Sequence, residues 1–467
     1  MSDDLAFTPA LELAELIRNR DVSSLELVDL YLDRIERIDP GLNAYVTVDP
    51  DGARAAAREP RTGPFAGVPI AIKDLTETAG LRTTLSTKAL AGNVPAFDTA
   101  TVRRIRDAGF VVLGKTNTSE LGTIAMTESE LNGACRNPWD ASRTAGGSSG
   151  GAAAATAAGL CPVAHGSDGG GSIRIPAACC GLVGIKPARG RVSPAPGGSG
   201  SLGLGTSGPL ARTVRDAAAL LDVMSGNETG DFFVAPPAER AFLDEAELEP
   251  GRLRVAFTLS PPVDVPVDET CAAAVLETAA LLAGLGHDVR EATPAWDDPE
   301  LVRHFVTVWQ VGPAAMGIDF DLLEPINRAL AEDAVATPSP DLTLSVYHLQ
   351  AFVRTLVALW DDVDVLVTPT LALPPVPIGW TFEGTGGDPR AAFMRQFLFT
   401  PFTAPFNLTG QPAMSLPLHR TADGLPIGVQ FVGGPFAEAT LVRLAAQLEQ
   451  ARPWIDYRPP STGTVSA

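Results

Sequence analysis

The 467-residue chain is long enough for one large α/β domain or for two to three ordinary ones. With 45% hydrophobic and 19% charged residues it reads as globular, which excludes wholesale disorder. Acidic residues outnumber basic ones 55 to 35, a formal net charge of -20; this argues against nucleic acid as a partner, because phosphate neutralisation needs clustered Lys and Arg.

In chain order, Thr8-Pro9 supplies an N-cap and a first-turn proline, and Leu11, Leu13, Leu16 and Ile17 then recur at helical spacing. A second helix is predicted from Ser23, with Leu27, Tyr31, Ile35 and Ile38 on its apolar stripe. The run 68–73 reads as a buried strand ending on Lys73, followed by a helix from Asp98-Thr99 and a strand at 110–114. Such alternation predicts a sheet with helices on its faces. A Gly/Ser/Ala-rich stretch, 144–205, encloses a helical segment at 152–160. Strands follow near 253–257, 363–368 and 427–432, and helices near 272–285, 349–360 and 438–448. Segments 236–251 and 381–389 read as surface loops, and the polar tail after Tyr457 as frayed.

Cys135, Cys161, Cys179, Cys180 and Cys271 show no C-x-x-C pair or zinc spacing, so buried free thiols in a reducing cytoplasm are expected. The start Met-Ser-Asp-Asp has no basic-apolar leader, and the apolar run 152–164 falls short of the ~20 residues of a membrane span. A soluble protein with no membrane contact follows. His165, His287, His304, His348 and His419 are scattered without metal-ligand spacing.

Three segments carry chemistry. In the first, 166–174, Gly169, Gly170 and Gly171 precede Ser172; successive N–H groups in such a turn can converge as an anion nest beside the hydroxyl. A flexible Gly/Ser loop is the ordinary alternative. Next, 146–150 matches the G-x-S-x-G nucleophile elbow with Ser148 at its centre. That motif needs a strand immediately before it, and 137–143 is not one, so Ser148 fits better as a hydroxyl at a helix start within a relay. Finally, Lys73 ends an apolar strand, where lost solvation favours the neutral amine and a general base; pairing with adjacent Asp74 is the competing reading. The G-x-G-x-x-G at 198–203 follows Ala195-Pro196 rather than a strand and reads as a loop, and His165 as a core or turn residue.

Taken together, these segments resemble the amidase signature family. The resemblance rests on G-G-S-S-G-G at 146–151, D-x-G-G-S-I-R-x-P at 168–176 and G-V-P-x-x-x-K-D at 67–74, and continues through 208–216, 407–413 and 424–430. It implies a single α/β/α domain, 1–467, around a twisted mixed sheet, with the core motifs at 67–216 and a C-terminal completion at 360–455. It also implies a Ser-cisSer-Lys triad: Ser172 as nucleophile, Ser148 as bridging serine with a cis peptide, and Lys73 as general base. The N–H groups of Gly169, Gly170, Gly171 and Ser172 would form the oxyanion hole, with no metal or organic cofactor. Gly169 departs from the larger residue usual there, which puts the rigidity of that hole in question. Within the family, 133–139, 162–166 and 190–194 are similar to hydrolases of the 6-aminohexanoate cyclic dimer. That similarity points to small, uncharged amides, nylon-type oligomers, aryl amides or carbamates as substrates.

By analogy, Gly122, Thr123 and Ile124, together with 306–316, line the substrate pocket; Trp309, Met316 and Phe397 are apolar enough to serve or to be core. The alternative within the family is the glutaminase subunit of a tRNA-dependent amidotransferase, for which Arg303, Arg354 or Arg395 would supply the cation. A non-catalytic binding protein on the same scaffold is opposed by the presence of all three triad side chains. A homodimer is the default expectation for a large soluble enzyme.

Overall fold

The computed structural model describes residues 3–198 and 200–460, so most of the tail beyond Tyr457, and Ser199 of the G-x-G-x-x-G loop, lie outside the described residues. Thirteen strands are present among them: β1 (Tyr45–Val48), β2 (Pro69–Lys73), β3 (Val111–Thr116), β4 (Arg136–Asn137), β5 (Asp140–Thr144), β6 (Val163–Asp168), β7 (Val183–Lys186), β8 (Thr206–Ala211), β9 (Arg254–Phe257), β10 (Asp288–Glu291), β11 (Val365–Pro369), β12 (Ala413–Arg420) and β13 (Pro426–Gly433).

Eleven of them form one mixed sheet in the order β1-β3-β2-β6-β8-β7-β12-β13-β11-β9-β10, and β4 pairs with β5 apart from it. β2 runs parallel to both β3 and β6, and β9 parallel to both β10 and β11; the remaining pairs are antiparallel. Parallel strands are covered on both faces, which is why Pro-Ile-Ala-Ile-Lys of β2 is buried at every position. The fold is thus the expected α/β architecture, helices flanking a mixed sheet.

Local signals account for several helix starts. Ser23 caps the helix Ser24–Ile38 in a capping box with Glu26, and Thr99 caps Ala100–Asp107. The first helix, Ala10–Asn19, departs from expectation. Pro9 holds the cap position without a side-chain bond, and Asp216 accepts the N–H groups of Ala10 (2.7 Å) and Leu11 (3.0 Å) instead. The expected loop 236–251 contains a short helix, Phe242–Glu245, whose first N–H groups are held by the Asp222 carboxylate at 2.7 and 2.9 Å.

The helix Gly150–Ala157 is buried at every residue. Only small side chains let it sit this close to the sheet. A Cβ on Gly151 would lie 2.3 Å from the Asn117 nitrogen and 2.5 Å from the Ala44 oxygen. All five cysteines are free and buried. Longer than the apolar run 152–164 is the helical stretch Ser339–Asp361, of mean hydropathy 1.3 and sufficient length to cross a membrane. Its inward residues Leu349, Phe352 and Leu356 share an apolar cluster with Trp296, Phe402 and Phe406.

Candidate active site

Lys73 closes β2 with its side chain fully buried. Its Nζ donates to Ser148 Oγ at 2.8 Å and to Ser167 Oγ at 3.0 Å. Burial lowers its pKa from 10.5 to about 7, with Asp168 pulling back upward. The competing pairing with Asp74 is not what forms. The strand ends at Lys73 and the chain turns at Asp74, whose Oδ1 faces Lys115 Nζ at 3.7 Å, while Oδ2 accepts from Thr84 N and Oγ1 at 3.0 and 2.6 Å. Lys73 is left without a carboxylate in hydrogen-bond reach and with two hydroxyl partners.

Ser148 lies just ahead of the helix Gly150–Ala157, and the Gly147–Ser148 peptide is cis. Ser172 lies on the turn after β6, and both hydroxyl residues line one cavity. No hydrogen bond joins Ser148 Oγ to Ser172 Oγ among the described residues.

The turn is built around Asp168. Its carboxylate accepts from Gly171 N (2.7 Å), Ile173 N (3.2 Å), Arg174 Nε (3.0 Å) and Nη2 (2.9 Å), and Asn407 Nδ2 (2.9 Å). Burial would raise this carboxyl; Arg174, Lys186 and Asn407 hold it well below the usual carboxylate range instead. Arg174, itself fully buried, also donates to Thr403 O, Gln430 Oε1 and Asn407 Oδ1. Gly171 has φ of 135°, and a Cβ there would lie 2.3 Å from Thr403 Oγ1, so this position tolerates no side chain. Its N–H is committed to Asp168. The N–H groups of Gly169, Gly170 and Ser172 carry no intramolecular bond among the described residues, so of the expected nest these three remain free to meet an anion.

The cavity, about 480 Å³, is lined by Ser148, Ser172, Gly169, Gly122, Thr123, Trp309 and Met316 among others. A narrow apolar recess of about 40 Å³ adjoins Ser172 and Gly170, between Ile124, Ile175, Trp309 and Phe397. The segments 122–124 and 306–316 therefore meet at the two serines, with Trp309 Nε1 donating to Thr123 O at 3.2 Å. Trp309 also accounts for the unusual Gly169: a Cβ there would sit 3.3 Å from Trp309 Cη2, so the ring occupies the space of a larger residue.

None of the three arginines weighed as substrate cations lines this cavity. Arg303 pairs with Glu300, Arg395 stacks over Trp380 at 4.2 Å, and Arg354 lines a neighbouring cavity. Sequence reasoning missed Arg189 on the cavity wall, but its guanidinium is spent on three carbonyl oxygens, of Gly203, Asn407 and Leu408. Thr403 was missed as well, while Ser167, Asn407 and Gln430 fall in the singled-out segments 166–174, 407–413 and 424–430 without a role having been read for them; their partners lie far away in the chain. His165 is a buried strand residue bonded to Ser207 Oγ, its pKa lowered to about 3 by burial, and it does not itself line the cavity. Among the described residues no cluster of His, Cys, Asp and Glu could hold a metal ion.

The family model described as Amidase matches residues 26–442. The chain is 42% identical to the 6-aminohexanoate-cyclic-dimer hydrolase of Paenarthrobacter ureafaciens, over 96% of this chain and 95% of that one. It is 35% identical to an acylamidase of Rhodococcus erythropolis, over 99% of each. A solved structure of 6-aminohexanoate cyclic dimer hydrolase complexed with substrate superposes with a TM-score of 0.93 at 39% identity, covering 98% of this chain and 99% of the other.

Proposed function

The chain belongs to the amidase signature family and is a hydrolase acting on C–N bonds, and from that premise we propose that Ser172, Ser148 and Lys73 are its catalytic residues. One observation carries the reading: a fully buried lysine, its pKa lowered by burial to about 7, lies 2.8 Å from the hydroxyl of Ser148, which lines one cavity with Ser172 at an N–H nest. Neutral Lys73 takes the Ser148 hydroxyl proton as Ser148 takes that of Ser172, and Ser172 Oγ adds to the amide carbonyl. The N–H groups of Gly170 and Ser172, with Gly169 beside them, face the oxyanion; Gly171 shapes the turn through Asp168. Collapse expels the amine, which receives the proton back through Ser148. Water then cleaves the acyl-serine ester by the same relay and releases the acid. This route needs no cofactor.

The substrate is a small amide with an uncharged scissile group: a nylon-type oligomer, an aryl amide or a carbamate. The relatives' names and the apolar recess beside Ser172 support this class. A glutaminase subunit is disfavoured, because none of the arginines that would hold a glutamine carboxylate lines the cavity of Ser172. The five buried thiols fit a reducing cytoplasm. The test is a panel of cyclic and linear aliphatic amides, aryl amides, aryl carbamates and glutamine, reading amine or ammonia release from the protein and its Ser172→Ala variant. Turnover of an uncharged amide that vanishes in Ser172→Ala is expected; turnover surviving the substitution, or confined to glutamine, contradicts the reading.

A further inference from the structure

Glu77 lines the same cavity as Ser148 and Ser172, four residues beyond Lys73. Its backbone is pinned, since its carbonyl oxygen accepts from Thr99 N at 3.2 Å and the preceding Thr76 carbonyl accepts from Lys115 Nζ at 2.6 Å. The wall it belongs to, with Leu75, Thr76, Thr99 and Thr101, is therefore fixed in place. The side chain is half-buried yet makes no hydrogen bond and no ion pair among the described residues. This sets it apart from the neighbouring carboxylates: Asp74 is held by Lys115 and Thr84, and Asp98 by Arg106 at 3.1 Å. Lys115 feels the Glu77 charge through space, but it is fully buried and already faces Asp74 while donating to Thr76 O and Thr83 Oγ1. Arg189, the one arginine on the cavity wall, is bound to backbone carbonyls and stacked over Phe233 at 5.2 Å.

A carboxylate on the cavity wall without a hydrogen bond or ion pair of its own can pair with a cation that arrives with the substrate. Resting on the amidase reading above, we propose that Glu77 receives an ammonium group at the far end of the substrate, making it the specificity-determining residue for small amides that carry an amine remote from the scissile bond. The two subsites then divide the substrate. The apolar recess between Ile124, Ile175 and Trp309 takes an uncharged segment, and the wider cavity on the Glu77 side takes the charged end. An uncharged ring amide fits the same arrangement, because opening the ring creates a primary amine that is protonated near neutrality. The net charge of -20 favours the approach of such a cation.

The experiment separates this proposal from the amidase reading by measuring binding in the Ser172→Ala background, where no turnover is required. An N-acyl diaminoalkane with a free terminal ammonium and its N-acyl alkylamine isostere with a terminal methyl are titrated by calorimetry. The same pair is then titrated against proteins that also carry Glu77→Gln or Glu77→Asp. The expected result is roughly ten-fold tighter binding of the ammonium compound, a preference lost in Glu77→Gln, largely kept in Glu77→Asp and weakened by salt. Equal binding of the two compounds to the Glu77 protein, or a preference that persists in Glu77→Gln, overturns the proposal. Turnover by the unmodified protein bears on the amidase reading alone.

Discussion

Burying Lys73 without a carboxylate partner has two measurable consequences, in rate and in stability. With a pKa of about 7, the amine is neutral in about a tenth of molecules at pH 6 and about nine tenths at pH 8. If neutral Lys73 starts the relay, kcat/KM for an uncharged amide rises about ten-fold between those values and then levels off. For stability, the folded pKa lies below the 10.5 of an exposed lysine, so the unfolded chain binds more protons between about pH 7 and 10.5. The cost of burying the charge is therefore full below about pH 7, falls as pH rises, and vanishes above about 10.5. At ~1.36 kcal/mol per pH unit the full cost is roughly 4–5 kcal/mol. Lys73→Met removes it but forfeits the bonds to Ser148 and Ser167, at about 1 kcal/mol each. The net expectation is an inactive variant that is roughly 2–3 kcal/mol more stable at pH 6, the advantage shrinking towards pH 10. Urea denaturation of both proteins across this range reads the difference, and a pH-rate profile reads the amine. A variant less stable at every pH, or a profile flat from pH 5 to 9, would refute the reasoning.

Two further substitutions probe the surroundings. Gly169→Ala places a Cβ 3.3 Å from Trp309 Cη2, so the ring must shift by a few tenths of an ångström into the recess; KM for amides with bulky apolar segments should rise several-fold more than for acetyl analogues, and an equal effect on both would contradict the assigned packing. Arg174→Met leaves the buried Asp168 carboxylate with Lys186, Asn407 and the N–H groups of Gly171 and Ile173 but without its bidentate cation, which should cost roughly 3–5 kcal/mol; a loss below about 1 kcal/mol in urea denaturation would show that Arg174 does not hold the turn.

What could be read from the sequence follows the range of the interactions concerned. The capping box of Ser23 and Glu26 spans three residues, and β2 announces itself as an apolar run ending on a charge, so both were legible. The amidase family was legible as well, because its motifs are contiguous. The cap on Ala10 was not: its carboxylate lies 206 positions away, and Thr8-Pro9 offered a plausible local substitute. Likewise Gly169 reads in sequence as extra freedom, while in space it is a contact for Trp309, some 140 positions on. The pairing of Lys73 with Asp74 failed for a simpler reason. The chain turns immediately after Lys73, and the lysine that Asp74 meets sits on the neighbouring strand β3.

The central claim is that an acyl group is carried on Ser172. The most direct measurement is rapid quenching of the protein during turnover of an activated aryl ester or amide, followed by peptide mass spectrometry. The account predicts an acyl adduct on Ser172, absent in Ser172→Ala and failing to form at neutral pH in Lys73→Met. An adduct on Ser148 or on any other residue, or turnover without an adduct in a protein lacking Ser172, would contradict it.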